Sequence, residues 1–209
     1  MLHENKSCVV VGGTHGIGLA IAEELLKEGC TLLIICSRKQ QSLDQAMVHL
    51  AQFKTSNQVA IHGLPVNVSN TKDLQLLASF AAGLAPRGVD VLVSNVGVDP
   101  ISGNALDMDE TVFDKIFTSN VKAAWLLTKL FRPLLLTAGK AAVLFVSSTG
   151  GLQPSHPSGL YGASKSALIG LSRALSTELG PLGIRVNTIC PGIVKTRMSK
   201  AFLGQLGHG

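Results

Sequence analysis

Aromatic side chains are scarce in this sequence: one Tyr, one Trp and seven Phe among 209 residues. A surface that stacks nucleic-acid bases needs aromatic platforms beside clustered cations. The 18 basic residues outnumber the 13 acidic ones and give a formal charge of +5, but they are scattered and form no run, so nucleic acid is not an expected partner. The surplus reads as a solvated surface with a bias toward anionic ligands. Cysteine is sparse too. Cys8, Cys30, Cys36 and Cys190 lie in or beside apolar runs with no CxxC or Cys/His spacing, which suits buried thiols in a reducing compartment better than disulfides or a metal site. His3, His15, His49, His62, His156 and His208 are dispersed in the same way, so no metal site is expected. No apolar run reaches the ~20 residues of a membrane span. The first strand candidate follows Met1 so closely that no signal sequence fits before it. The expectation is a soluble, intracellular, cytoplasmic protein. A peroxisomal or mitochondrial location stays open, although the final "GHG" is not a peroxisomal address.

Hydrophobic residues, by contrast, make up 46% of the chain, enough to bury one large core, and nothing in the composition marks a linker or a repeat. Residues 1–209 are therefore read as a single domain. Short apolar, β-branched runs occur at 7–12, 31–36, 59–66, 90–95, 141–148 and 184–190. Apolar throughout, they are predicted to be strands covered on both faces, as in a parallel sheet. Between them, 16–28, 42–53, 71–85, 109–137 and 160–180 carry the helical period. This alternation predicts a doubly wound α/β sheet of six strands, which binds ligands beyond the carboxyl ends of its strands.

The first such end is "GGTHGIG". Gly12, Gly16 and Gly18 permit a tight turn and a close approach to a pyrophosphate, and the following helix start offers amides and a positive dipole end. The plain alternative is a glycine-rich turn with no ligand. The second strand ends in Ser37-Arg38, where a site for NAD places an acid to hold the ribose hydroxyls. A guanidinium and a hydroxyl there suit a 2′-phosphate, so NADP(H) is favoured over NAD(H). The bland reading of Arg38 is a solvent-facing strand end.

In "YGASK", Tyr161 and Lys165 are four residues apart on one helical face. An ammonium one turn from a phenol stabilises the phenolate, so Tyr161 is expected to titrate below its usual ~10 and to exchange a proton with a substrate oxygen as hydride is transferred. Ser148, at the end of the fifth strand, is placed to polarise the same oxygen. Asn120, an awkward polar residue in an apolar helix, is read as holding a water or a backbone group that relays protons to Lys165. Taken singly, each also has an ordinary structural explanation: a core phenol, a solvated lysine, a strand-end serine, a locally bonded amide.

Together, "GGTHGIG", "SNVG" (94–97), Asn120, Ser148, "YGASK" and "PGIVKT" (191–196) resemble the short-chain dehydrogenases/reductases in order and spacing, from residue 6 to about 200. The stretches 36–41, 94–103, 120–123 and 191–196 look like the dehydrogenase/reductase member 4 and member 2 group of NADPH-dependent carbonyl and retinal reductases. The resemblance implies a Rossmann-type fold, with Asn120, Ser148, Tyr161 and Lys165 as catalytic residues. It also implies cofactor contacts from Gly12, Thr14, His15, Gly16, Ile17, Gly18, Ser37, Arg38, Asn67, Val68, Asn95, Gly97, Tyr161, Lys165, Pro191, Gly192, Ile193 and Thr196. Reduction of ketones, aldehydes, α-dicarbonyls or retinoids, in a homodimer or homotetramer, is the activity so implied.

The sequence departs from the family pattern in four places. Val11 replaces a threonine that braces the loop after the fourth strand. Asn67 replaces an aspartate that contacts adenine. Ser94 precedes Asn95 where a second asparagine is usual. Family chains also continue past the proline-glycine loop with a further helix and a seventh strand, whereas this one stops at "KAFLGQLGHG". A cofactor-binding protein without turnover is the alternative expectation.

Overall fold

The structure is a computed structural model that describes residues 5–100, 103–154 and 156–196. Six strands form one sheet: β1 (Ser7–Val11), β2 (Leu32–Ser37), β3 (Ala60–Pro65), β4 (Val91–Ser94), β5 (Ala141–Val146) and β6 (Ile184–Ile189). Their order is β3-β2-β1-β4-β5-β6 and all neighbours run parallel. The order reverses between β1 and β4, whose register pairs Val11 with Ser94. The crevice for a ligand therefore opens above these two residues.

Alternation along each strand divides the core into two layers. Val9 and Val11 of β1 with Ile34 and Cys36 of β2 face one side. There they meet α3 (Thr71–Leu84), α5 (Ala123–Thr137) and α7 (Gly159–Leu179) through Leu74, Leu77, Leu127, Phe131 and Leu168. Cys8, Val10, Leu33 and Ile35 face the other side, covered by α1 (Gly16–Lys27) and α2 (Gln40–Leu50) through Leu26, Leu43 and Leu50. Having both faces covered is why these strands read as unbroken apolar runs. Phe131 is fully buried in the first layer. Truncating it to Ala is expected to cost about 3–5 kcal/mol of stability, read as a lower midpoint in denaturant unfolding.

Two segments differ from the sequence expectation. The continuous helix anticipated at 109–137 is divided into α4 (Glu110–Phe117), a π-helical turn at Thr118–Lys122, and α5. A short helix, α6 (Thr149–Leu152), follows β5 where none was anticipated. Both lie at the carboxyl edge of the sheet, beside the residues discussed next.

Candidate active site

At the end of β1 the chain turns with Gly12 at φ 80° and Gly16 at φ 53°, a region that L side chains rarely adopt. A Cβ on Gly18 would overlap the Gly12 carbonyl and the Asn95 side-chain nitrogen. Asn95 Nδ2 donates to Gly12 O at 3.0 Å, and Asn95 N donates to Val11 O at 3.0 Å. The bracing that a valine at position 11 cannot offer thus comes from Asn95. Thr14 is buried, and its Oγ1 shares a hydrogen with His15 Nδ1 at 2.9 Å. The N-cap residue of α1, His15, makes no side-chain capping bond, and no acidic residue lies in the helix's first turn. A positive dipole end and leading amides of this kind suit an anion.

Lys165 anchors the other half of the site. Only 3% of it is exposed, and Nζ donates to Val146 O at 2.8 Å and to Val96 O at 3.3 Å, joining the ends of β5 and β4. Burial lowers its pKa to about 8, against a smaller opposite effect of Cys190. A Cβ at Gly97 would lie 2.9 Å from Nζ, so this glycine makes room for the ammonium. Ser147 Oγ donates to the Lys165 carbonyl at 2.8 Å and fixes α7 against β5.

Tyr161 lies one turn earlier on α7, with the Lys165 ammonium 5.7 Å from its ring centroid. The phenol is pushed above its usual value, by burial first, with Asp99 adding to the rise and a hydrogen bond from Ser148 opposing it. The expected lowering by Lys165 is not among the causes of this shift: with its own pKa lowered to about 8 by burial, Lys165 is neutral at the pH where the phenol titrates. Ser148 also caps α6 by accepting from Gly150 N at 3.1 Å.

Asn120 sits in the π-helical turn and is 1% exposed. Its Oδ1 accepts from Val98 N at 2.8 Å, while Nδ2 donates to Val98 O at 3.1 Å and Ser164 Oγ at 2.9 Å. Ser164 in turn donates to the Tyr161 carbonyl at 2.7 Å. Of the two roles expected for Asn120, the backbone-holding one matches this geometry. It fixes the stretch 96–98 that receives Lys165, and it ties that stretch to the turn of α7 bearing Tyr161.

The remaining expected residues line the same edge of the sheet. Ser37 is half-buried and Arg38 exposed at the end of β2. After β3, Asn67 is exposed and its Oδ1 accepts from Ser69 N at 3.2 Å, while Val68 packs on the core. Ser69 and Ser119 share a hydrogen at 2.9 Å, a link between this loop and the π-helical turn that no sequence pattern announces. After β6, Pro191 O accepts from Thr149 N at 2.9 Å. Gly192 and Ile193 are exposed, and Thr196 approaches Gly16 so closely that a Cβ there would lie 2.8 Å from its methyl carbon. The expected start of a substrate-covering loop, near 197, lies outside the described residues. Among the described residues, no group of three or more His, Cys, Asp or Glu could hold a metal ion.

The glycine turn, the start of α1 and the row of loops from Ser37 to Pro191 fit an elongated anionic ligand such as a dinucleotide. Comparisons with known proteins agree. The family model described as short chain dehydrogenase matches residues 6–206. Dehydrogenase/reductase SDR family member 4 of Sus scrofa is 41% identical over 197 residues, covering 94% of this chain and 68% of the relative. Dehydrogenase/reductase SDR family member 2, mitochondrial, of Homo sapiens is 40% identical over 200 residues, covering 96% and 69%. Among solved structures, an actinorhodin polyketide ketoreductase with NADPH superposes with a TM-score of 0.88 at 28% identity, covering 98% of this chain and 78% of that one. RhlG of Pseudomonas aeruginosa in an NADP complex gives 0.87 at 27% identity, covering 96% and 77%. By sequence match, strand order and the turn at Gly12–Gly18, the chain belongs to the short chain dehydrogenase family of oxidoreductases, which use nicotinamide dinucleotides.

Proposed function

We propose that this protein is an NADP(H)-dependent oxidoreductase that reduces ketones and aldehydes to alcohols, with carbonyl, α-dicarbonyl and retinoid compounds as the substrate classes. The observation that carries the reading is the buried Lys165, held by carbonyls at the end of β5 and just after β4, with its ammonium 5.7 Å from the ring centroid of Tyr161 one helical turn earlier. The family's nicotinamide cofactor, when bound, supplies the hydride.

The turn at Gly12–Gly18 and the amides opening α1 would hold the cofactor's pyrophosphate, and Arg38 with Ser37 would hold its 2′-phosphate. Ser148 polarises the substrate carbonyl. Tyr161 gives its phenolic proton to the carbonyl oxygen as the carbon receives hydride, and the ammonium of Lys165 balances the phenolate left behind. Asn120 keeps the stretch 96–98 in place. Alcohol oxidation reverses each step. The NADPH and NADP complexes of the two structural neighbours support the cofactor choice, and the ketoreductase among them supports the substrate class. Family likeness supports an assembly of two or four copies. No helix among the described residues is long and apolar enough to cross a membrane.

Turnover of a carbonyl panel with NADPH and with NADH tests the reading. NADPH is expected to give the higher kcat/KM. In Arg38→Glu the KM for NADPH should rise at least about tenfold, since a charge-assisted contact is lost and an acid faces the phosphate, while NADH is used no less well. A higher kcat/KM with NADH in the unaltered protein would overturn the cofactor choice. Cofactor binding without turnover of any carbonyl would overturn the activity.

A further inference from the structure

The loop after β4 carries a carboxyl group that the reaction outlined above does not use. Asp99 Oδ2 accepts from Ser158 Oγ at 2.8 Å. Ser158 stands at the N-terminal boundary of α7, three residues before Tyr161. Asp99 Oδ1 is buried and, among the described residues, has no hydrogen-bond partner. The main chain around it is fixed: Val96 O is held by Lys165 and Val98 by both ends of the Asn120 carboxamide. Farther on, Gly103 N donates to Pro157 O at 2.8 Å and fastens the loop to the entry of α7. The carboxyl group is thus tethered to the helix that carries the phenol, and it is half-buried, so solvent screens its charge only in part.

Resting on the reductase reading, we propose that Asp99 is a positioning residue for the proton on Tyr161: its negative charge keeps the phenol protonated and biases the site toward giving a proton to a carbonyl rather than taking one from an alcohol. A carboxylate near a phenol disfavours a second negative charge. The rise in the Tyr161 pKa agrees, with burial as the larger cause and Asp99 as a further one. Burial also raises Asp99 itself, against the Ser158 hydrogen bond, but at the alkaline pH where a phenol titrates the carboxyl group is ionised.

Other polar groups among the described residues stand near this phenol. Lys165 on the same helix, its pKa lowered to about 8 by burial, is neutral at the alkaline pH where the phenol titrates. Ser148, after β5, is a neutral hydroxyl that lowers the phenol's pKa. Cys190, at the end of β6, acts on Lys165. His156 and Asp107 are exposed in the outer cleft.

Tyr161 is the only tyrosine of the chain, so the near-ultraviolet absorbance of phenolate titrates this one residue. Asp99→Asn keeps the shape and an acceptor for Ser158 but removes the charge. Its titration midpoint is expected to fall below that of the unaltered protein. Asp99→Glu restores the charge and should return the midpoint toward the original. Should Asp99→Asn lose its cooperative thermal transition, Asp99→Ser reads the same loss of charge. Equal midpoints in the folded neutral variant and the unaltered protein, or a midpoint in Asp99→Glu as low as in the neutral variant, would overturn the proposal.

In turnover, the neutral variant is expected to reach half its maximal rate of alcohol oxidation at a lower pH, and to lose carbonyl reduction at a lower pH. The absorbance titration needs no turnover. A shifted midpoint in a protein that reduces no carbonyl would sink the reductase reading and leave the electrostatic one standing.

Discussion

Tyr161→Phe is expected to lower kcat for carbonyl reduction by about 10²–10⁴-fold, the usual contribution of a positioned proton donor, while NADPH binds with nearly unchanged affinity. The substitution removes one oxygen atom. The ring remains to pack, and Lys165 keeps both of its carbonyl partners, which do not involve the phenol. What disappears is the proton that the substrate oxygen must gain as its carbon receives hydride. Ser148 remains, but its hydroxyl already accepts from Gly150 N at the cap of α6, and a serine hydroxyl is far too weak an acid to replace the phenol at neutral pH. Initial rates of NADPH loss, together with calorimetric binding of NADPH to both proteins, separate the two effects. Equal rates would remove Tyr161 from the reaction.

Lys165→Met is expected to lower kcat by about 10²–10³-fold, the scale for losing one preorganised group at a developing charge, and to loosen the junction of β4 and β5. Met fills most of the lysine volume but donates to neither Val146 O nor Val96 O. Leaving a buried carbonyl without its donor costs about 1–3 kcal/mol, and relief of the buried ammonium offsets that loss. This relief has a signature in pH. The folded-state pKa of Lys165, about 8, is below its ordinary 10.5. From pH 8 to 10.5 the unfolded chain therefore holds more protons at this position, and the lysine's contribution to stability rises with pH. Below pH 8 the cost of keeping the ammonium buried is fully present. The stability of the unaltered protein relative to Lys165→Met should accordingly increase as pH rises through this window. Denaturant unfolding of both proteins at several pH values measures the difference, and a difference that stays flat or falls would contradict the burial of a charged Lys165.

Much of the fold was legible because its cause is one-dimensional. Val9, Val10 and Val11, or Leu33, Ile34 and Ile35, are apolar in succession because helices cover both faces of the sheet, and a run of that kind can be read directly. The glycine turn was legible for a similar reason, since Gly12 and Gly16 adopt backbone angles that other residues avoid. The fine structure of the site was not. The partners of Lys165 are the main-chain carbonyls of Val96 and Val146, and a carbonyl leaves no mark in the identity of its residue. The same holds for Asn120. A polar residue in an apolar helix could be flagged, but the π-helical turn around it and its two bonds to Val98 depend on a loop 22 residues away in sequence.

Sequence spacing suggested that Lys165 lowers the pKa of Tyr161, because residues four apart on a helix are neighbours. It could not reveal that the ammonium is drawn toward the strand ends while burial raises the phenol. Asp99 escaped attention for a related reason. Nothing in "SNVGVDPISG" shows that this acid is tethered by Ser158, 59 residues farther along the chain.

The sharpest test follows a single turnover, with the protein, a ketone and NADPH carrying deuterium at its transferable position, and mass spectrometry of the product. The expected result is an alcohol bearing one deuterium on its carbinol carbon from the unaltered protein, and far less of it from Tyr161→Phe in the same time. Labelled alcohol formed equally fast by both proteins, or none from either, would contradict a hydride transfer completed by the phenol of Tyr161.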